Sequence, residues 1–107
     1  RLQMEERMFR HCVMLRFKNG ITEDDKIRAY EGIRALPDHI EEVLSYSVGF
    51  NAGSRSDNYD LVVVGDFASE ADYETYAGHA KHQEVIADLI APIIDSRTAV
   101  QYVLEDQ

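Results

Sequence analysis

The sequence predicts an α+β domain of the ferredoxin-like type, with the element order β-α-β-β-α-β, a four-stranded antiparallel sheet and helices on one face of it. Four segments rich in β-branched and aromatic residues have the length of strands. Segments with apolar residues at helical spacing separate them, in the order of the split βαβ arrangement. The 107 residues suffice for one domain.

The first predicted strand runs from Phe9 to Phe17 and ends at the turn residues Asn19 and Gly20. Strand alternation places four side chains on one face, namely His11, Val13, Leu15 and Phe17. Thr22 then begins the first helix as its N-cap, because three acidic residues that complement the helix dipole follow it. Pro37 ends that helix.

The second and third predicted strands, Leu44 to Phe50 and Tyr59 to Phe67, flank a polar loop at residues 51–58. The run from Leu61 to Val64 is apolar on both of its faces, so we expect both faces of the sheet to be covered. Asp60 is expected to cap a loop or to pair with a basic residue such as Arg97.

The second helical region begins at Ser69, which has Asp72 three residues later in a capping position. A further helical stretch is predicted from about His82 to Ile94, although Pro92 lies inside it and favours a kink or an early end. Alternation then predicts a fourth strand from Thr98 to Leu104.

Helices cover only one face of such a sheet, and the opposite face is apolar in this sequence. Cys12 and Met14 point to it, together with alternate residues of the third strand. An exposed apolar patch of this kind marks an interface, and a second copy that uses the same face is the simplest partner. We therefore predict a homodimer.

Composition excludes several classes of partner. The formal net charge of −9 arises from 20 acidic and 11 basic residues, which predicts repulsion from nucleic acid. No apolar run has the length of a membrane span, so we expect no membrane association. Because the single Cys12 cannot form an internal disulfide, the sequence predicts a cytoplasmic protein.

The charged N-terminus lacks the features of a secretory signal. We expect residues 1–8 to be a tail, of which residues 1–3 precede Met4 and are interpreted as an expression remnant, and residues 9–107 to be one domain.

His11 is the most informative residue, because an imidazole on an apolar, helix-covered face must find a polar partner. His82 could reach it, with Tyr76 about a turn and a half earlier. Of two imidazoles in contact, one stays neutral and can act as a base, while a tyrosine can stabilise an oxyanion. Alternatively, the two histidines only bond each other or the backbone and fix a helix on the sheet.

His79 and His82 are spaced as two metal ligands on one helical face could be, but no third ligand is evident. We therefore predict neither a metal site nor a cofactor. Cys12 and His11 are neighbours on a strand and point to opposite faces, which disfavours a nucleophile pair.

Five segments together resemble the stress-responsive A/B barrel domain family, from about Phe9 to Val103. They are R-H-C-V-M-L-R-F-K in the first strand, Ile21-Thr22-Glu23, Tyr59-Asp60-Leu61, Y-A-G-H-A-K-H (76–82) and D-S-R-T-A-V-Q-Y-V at the end. The resemblance implies a dimeric α/β barrel built from two sheets. A plant branch of the family cyclises a linear polyketide by an aldol step with two histidines and helper tyrosines.

By this resemblance the strand histidine is His11, the helix histidine is His82 and one helper tyrosine is Tyr76. The second helper position holds Ile33, which cannot donate a hydrogen bond.

Two functional hypotheses follow. The first is a homodimeric barrel protein of uncharacterised activity with a small, mostly apolar pocket in each subunit for an apolar or aromatic molecule. Its predicted lining consists of Tyr30, Ile33, Tyr59, Tyr73 and His79. The alternative is a cofactor-free lyase, cyclase or isomerase for polyketide-like or β-keto compounds, with His82 as base, His11 as its orienting partner and Tyr76 as donor.

Overall fold

The computed structural model describes residues 8–105, so the predicted N-terminal tail lies outside this range except for Met8. Its strands are β1 (Phe9–Phe17), β2 (Ser45–Phe50), β3 (Leu61–Phe67) and β4 (Ile94–Val103). Its helices are α1 (Glu23–Arg34), α2 (Glu70–Gly78) and α3 (Ala80–Val85), with a 3₁₀ turn at Leu36–Asp38 and a π-helical turn at Ile86–Ile90. The strands form one antiparallel sheet in the order β2-β3-β1-β4, which confirms the ferredoxin-like α+β prediction.

Both predicted N-caps form. The hydroxyl of Thr22 accepts a 3.1 Å hydrogen bond from the backbone N–H of Asp25 and begins α1. The hydroxyl of Ser69 does the same for Asp72 at 3.1 Å and begins α2. Short polar side chains therefore set the entry of both helices.

The helix predicted from about His82 to Ile94 begins earlier, at Ala80, and it ends early, as the position of Pro92 indicated. α3 begins at Ala80, because the Nδ1 atom of His79 accepts a 3.0 Å hydrogen bond from the N–H of Lys81 and caps it. The helix widens into the π-helical turn and ends before Pro92, where the N–H of Ala91 donates to the carbonyl of Ile86 at 2.8 Å.

β4 begins at Ile94 instead of at the predicted Thr98. Its pairing with β1 runs from Phe9–Val103 to Phe17–Ile94, with one irregularity after Arg16. The four additional residues form strand because they pair with β1, which offers backbone hydrogen bonds along its full length. Local sequence patterns do not reveal this pairing.

The core lies between the sheet and the helices, and the predicted face of β1 points into it. Fully buried side chains are contributed by the helices, the sheet and the connection after α1: Leu36, Ile40, Leu61, Phe67 and Ile90. No helix within residues 8–105 is both long and apolar enough to cross a membrane.

The apolar centre of the sheet surface away from the helices, called the open face below, consists of Cys12, Met14, Val62, Val64 and Val100, and the Arg10–Asp66 pair lies beside it. Val64, Cys12 and Val100 are direct neighbours across three strands. Met14 is 40% exposed and Val100 56%. This surface is therefore apolar and uncovered in a single subunit.

Candidate functional site

A cavity of about 310 Å³ lies between the sheet and the helices. Apolar side chains from β1, β3, α1 and the π-helical turn form its walls: Val13, Leu15, Ile33, Val63, Ile86 and Ile90. His11, Tyr46, Tyr76, His82 and Arg97 supply most of its polar atoms. This combination of apolar walls and a few converging polar groups is typical of a small-molecule site.

One row across the sheet positions the strand histidine. Tyr46 of β2, Gly65 of β3, His11 of β1 and Gln101 of β4 are consecutive Cα partners on the helix-covered face. A Cβ atom on Gly65 would lie 3.1 and 3.2 Å from the ring of Tyr46 and 3.3 Å from that of Phe67. Glycine is therefore what allows the Tyr46 ring to lie across the third strand.

Gln101 holds the ring of His11. Its side-chain amide donates a 2.8 Å hydrogen bond to the Nδ1 atom of His11. In a neutral imidazole an accepting Nδ1 leaves the hydrogen on Nε2. His11 is 4% exposed, and it is presented as a hydrogen-bond donor through Nε2.

His82 is held in the opposite tautomer. Its Nδ1–H donates a 3.0 Å hydrogen bond to the backbone carbonyl of Ala77, which also accepts a 2.7 Å bond from the side-chain amide of Gln83. The Nε2 atom of His82 therefore carries a lone pair and is available as a base.

The Nε2 atoms of His11 and His82 take part in no hydrogen bond with another described residue. Within residues 8–105, no side-chain nitrogen or oxygen is both buried and without a partner. Because His11 and His82 line the same cavity, we infer that their Nε2 atoms are directed to it.

Tyr46 and Tyr76 form a hydrogen-bonded dyad, with 2.6 Å between their hydroxyl oxygens. The two hydroxyls bring two hydrogens and the shared bond uses one, so the other remains free to donate. The ring of Tyr76 also lies 4.5 Å from that of His82, measured between centroids. The dyad thus places a neutral donor beside the candidate base.

Burial controls the ionisation of these groups. Burial, with smaller contributions from Arg97 and His82, lowers the pKa of His11 to about 4. Burial also lowers the pKa of His82, although the Ala77 carbonyl opposes the shift. It raises the pKa of Tyr76 to about 12, and that of Tyr46 rises for the same reason. At neutral pH both imidazoles are uncharged and both phenols are protonated.

Five of the sequence-predicted site residues line the cavity, namely His11, Ile33, Tyr73, Tyr76 and His82. The structure does not bring together the two histidines as predicted, because no hydrogen bond joins His11 to His82. Each imidazole has its own partner, Gln101 or the Ala77 carbonyl. The prediction that His11 orients His82 is therefore corrected.

Tyr30, Tyr59 and His79 do not line this cavity, and the prediction for them is corrected. The ring of Tyr30 stacks on Phe50 at 5.1 Å. Tyr59 packs under the guanidinium of Arg16, 4.4 Å from the ring centroid, where the strand alternates away from the helices. His79 is occupied as the cap of α3.

Sequence reasoning missed three polar residues of the site: Tyr46, Gln101 and Arg97. Alternation along β2 and β4 assigns their faces, but only strand register shows which residues are neighbours of His11. The expected pairing of Asp60 with Arg97 is absent among the described residues. The carboxylate of Asp60 instead accepts a 2.8 Å hydrogen bond from the N–H of Phe17, which agrees with the loop-capping alternative.

In the described part of the chain, no group of three or more His, Cys, Asp and Glu side chains is arranged to hold a metal ion. The arrangement is suited to proton transfer by neutral side chains: a base at His82, and donors at His11 and in the tyrosine dyad.

The sequence model of the Stress responsive A/B Barrel Domain matches residues 9–104. A dimeric ferredoxin-like protein of unknown function from Thermobifida fusca is 32% identical, with a TM-score of 0.83 and 92% of each chain covered. A dimeric protein of unknown function from Bacteroides fragilis is 24% identical, with a TM-score of 0.78, covering 91% of this chain and 96% of its own. A hydroxynitrile lyase from Passiflora edulis is 18% identical, with a TM-score of 0.83, covering 95% of this chain and 97% of its own. No curated protein matches significantly.

Proposed function

The chain belongs to the stress responsive A/B barrel domain family, and from this premise we propose that it is a homodimer in which each subunit carries out cofactor-free proton transfer next to a carbonyl group. The reaction class is that of a lyase, cyclase or isomerase. One observation carries the proposal: two imidazoles in opposite tautomers line one apolar cavity beside a tyrosine dyad.

His82 acts as the base in this proposal. Its Nε2 lone pair takes a proton from the carbon next to the carbonyl, and the C–H electron pair forms the C=C bond of an enolate. The hydrogen bond to the Ala77 carbonyl becomes stronger as the ring becomes positive, since a charged donor bonds more tightly. The apolar walls exclude water that would compete for the base.

The developing oxyanion is stabilised by neutral donors. The free hydrogen of the Tyr46–Tyr76 dyad and the Nε2–H of His11 are the available groups. In known oxyanion holes, one donor of this kind lowers the activation free energy by about 2.7–4 kcal/mol. Tyr46 thus supplies a second hydroxyl to the cavity from a strand, whereas the second helper position of the family is occupied by Ile33 in this chain.

Two comparisons support the proposal. A hydroxynitrile lyase shows that this fold can carry lyase activity, although at 18% identity the likeness is one of fold. The Thermobifida fusca and Bacteroides fragilis proteins are dimeric, which favours a second copy as the cover of the open face. The single Cys12 favours a reducing, cytoplasmic location.

The test is hydrogen–deuterium exchange of small aromatic methyl ketones and β-keto compounds in D₂O, followed by NMR. The wild-type protein is expected to accelerate exchange at the carbon next to the carbonyl, and His82→Gln is expected to reduce the acceleration by about 100-fold or more. His39→Gln is the matched control, because His39 is exposed and does not line the cavity.

Exchange by the His82→Gln protein equal to that of the wild type would refute the assignment of the base. Binding of aromatic compounds by the wild type without any exchange would instead support a non-catalytic ligand pocket, which the apolar walls also allow.

A further inference from the structure

Arg97 differs in character from the other described residues that line the cavity. It is the one residue with a permanently charged side chain among them, and they include no aspartate or glutamate. The chain as a whole has 20 acidic residues. Among the described lining residues, the permanent charge of the cavity is thus a single positive one, although the chain is acidic overall.

Among the described residues, the guanidinium of Arg97 has no carboxylate partner. It takes part in none of the ion pairs of residues 8–105. Asp60, the acidic residue that the sequence suggested as its partner, is held by the backbone of Phe17. In contrast, Arg10 of the same sheet is fully paired with Asp66 through two bonds of 2.7 and 2.9 Å.

The position of Arg97 is set by the sheet. Its Cα is the cross-strand partner of Leu15 on β1, four residues beyond His11. The side chain thus belongs to the helix-covered face, on the same surface as Leu15 and His11, both of which line the cavity. His11 of β1, His82 of α3 and Arg97 of β4 therefore line the same cavity.

We propose that the cavity binds a small aromatic or acyl carboxylate, whose carboxylate group pairs with Arg97 while its apolar part packs against the aliphatic walls. This inference rests on the proposed function, since it names the substrate class of the same cavity: carbonyl compounds that also carry a carboxylate. A planar guanidinium binds a planar carboxylate through two parallel hydrogen bonds.

A carboxylate fits this environment better than a phosphate group. With neutral histidines, the cavity offers one positive charge, which one carboxylate neutralises. Arg97 is exposed, so its charge lies where the cavity meets solvent. A phosphate ester with nearly two negative charges would have only this one cationic partner, and the rest of its charge would face apolar walls, which is unfavourable.

The experiment compares benzoate with benzamide, which has nearly the same shape and no charge, by NMR titration of the intact protein. Wild-type protein is expected to bind benzoate at least about tenfold more tightly than benzamide. Arg97→Met is expected to reduce this preference to about twofold or less. Arg97→Lys keeps the positive charge but cannot form two parallel hydrogen bonds with a carboxylate, so it is expected to give an intermediate preference. Arg55→Met is the control, since Arg55 is exposed in the 51–58 loop and does not line the cavity.

Equal affinity for the two probes, absence of benzoate binding, or a preference that survives in Arg97→Met would overturn the proposal. His82→Gln separates it from the proposed function, because this variant is expected to keep the preference for benzoate while losing proton exchange. Preference without exchange in the wild type would leave carboxylate recognition standing and the proposed chemistry refuted. Exchange without preference would support the proposed chemistry and refute carboxylate recognition.

Discussion

At the scale of single residues, the chemistry of the cavity depends on which nitrogen of each imidazole carries the hydrogen. The Ala77 carbonyl can only accept, so it fixes the hydrogen of His82 on Nδ1. The amide of Gln101 donates to His11 and fixes the other tautomer there. Two residues of one type thereby acquire opposite roles, base and donor, from partners outside the cavity lining.

Gln101→Glu is expected to reverse the tautomer of His11, because a carboxylate accepts a hydrogen bond and would draw the hydrogen to Nδ1. The Nε2 atom would then lose its hydrogen, and the pKa of His11 would rise from about 4 because of the adjacent negative charge. We expect exchange activity to fall by about tenfold or more. Long-range ¹H–¹⁵N NMR of the imidazole measures the tautomer directly, and an unchanged tautomer would contradict the assignment.

The stability of the protein is expected to fall as the pH decreases from about 6.5 through about 4. The pKa of His11 is lowered to about 4 in the folded chain, from 6.5 in an unfolded one, so the unfolded chain binds more protons in this interval. Urea unfolding at several pH values measures the slope, and His11→Gln is expected to flatten it. His82, whose pKa is also lowered, contributes in the same direction.

Below this interval the Arg10–Asp66 pair is expected to dominate the loss of stability. The hydrogen bonds from Arg10 first, and then from Ser45, hold the pKa of Asp66 below its usual 3.8 although burial opposes them. Its contribution is thus present above 3.8 and is lost as the pH falls through the lower folded value. Asp66→Asn is expected to remove this acid-dependent part, which urea midpoints between pH 4 and 2 would reveal.

The face of His11 could be predicted from the sequence because it follows from alternation within one strand. His82 and Tyr76 were assigned to the site by the family resemblance, which also names His11. Gln101 and Tyr46 could not be assigned to the site from the sequence, because only the register of three strand pairs places them near His11. From the sequence, Arg97 was interpreted only as a possible ion-pair partner of Asp60.

At the scale of elements, the site depends on how α3 ends and β4 begins. The π-helical turn at Ile86–Ile90 lies between the helix that carries His82 and the strand that carries Arg97 and Gln101, and it contributes two walls of the cavity. The sequence predicted a helix to Ile94 with a kink or an early end at Pro92, but not the π-helical turn, because one extra residue in a turn hardly changes the apolar spacing. The caps at Thr22 and Ser69 were predicted correctly, since a cap is encoded within four residues.

Gly65→Ala tests how the sheet positions the tyrosine dyad. The new Cβ would lie 3.1 Å from the Tyr46 ring, and Phe67 on its other side is fully buried and cannot retreat. We expect the Tyr46 ring to move, the 2.6 Å bond to Tyr76 to lengthen and exchange activity to fall, with about 1 kcal/mol lost from the free energy of unfolding.

Gly49→Ala is the matched control for this substitution, because its Cβ would have no neighbour within 4 Å. It is expected to leave exchange activity unchanged and to raise the free energy of unfolding by about 0.5 kcal/mol, since alanine is less flexible than glycine in the unfolded chain. Equal effects of the two substitutions would show that Gly65 has no special role.

At the scale of the whole molecule, the sheet separates two surfaces with different tasks. One face closes the cavity against the helices, and the open face is apolar across Val64, Cys12 and Val100. Because β1 alternates His11 with Cys12, the same strand serves both surfaces, and displacement of β1 by a partner would be transmitted to the histidine. The proposed homodimer therefore affects the rigidity of the site even if the partner contributes no side chain to it.

Val100→Asp is expected to convert the proposed dimer into monomers. Val100 is 56% exposed in one subunit, and a carboxylate at this position would bury an unpaired negative charge from each copy in an apolar two-fold interface. Size-exclusion chromatography with light scattering is expected to give about twice the 12.2 kDa subunit mass for the wild type and the single mass for the variant. Ile27→Asp is the control, because Ile27 is also exposed, at 48%, but lies on α1 away from the open face, so this variant should remain dimeric.

A wild-type protein that is monomeric at micromolar concentration would refute the dimer. If Val100→Asp stayed dimeric while Ile27→Asp dissociated, the interface would lie on the helical side, and the open face would need a different occupant.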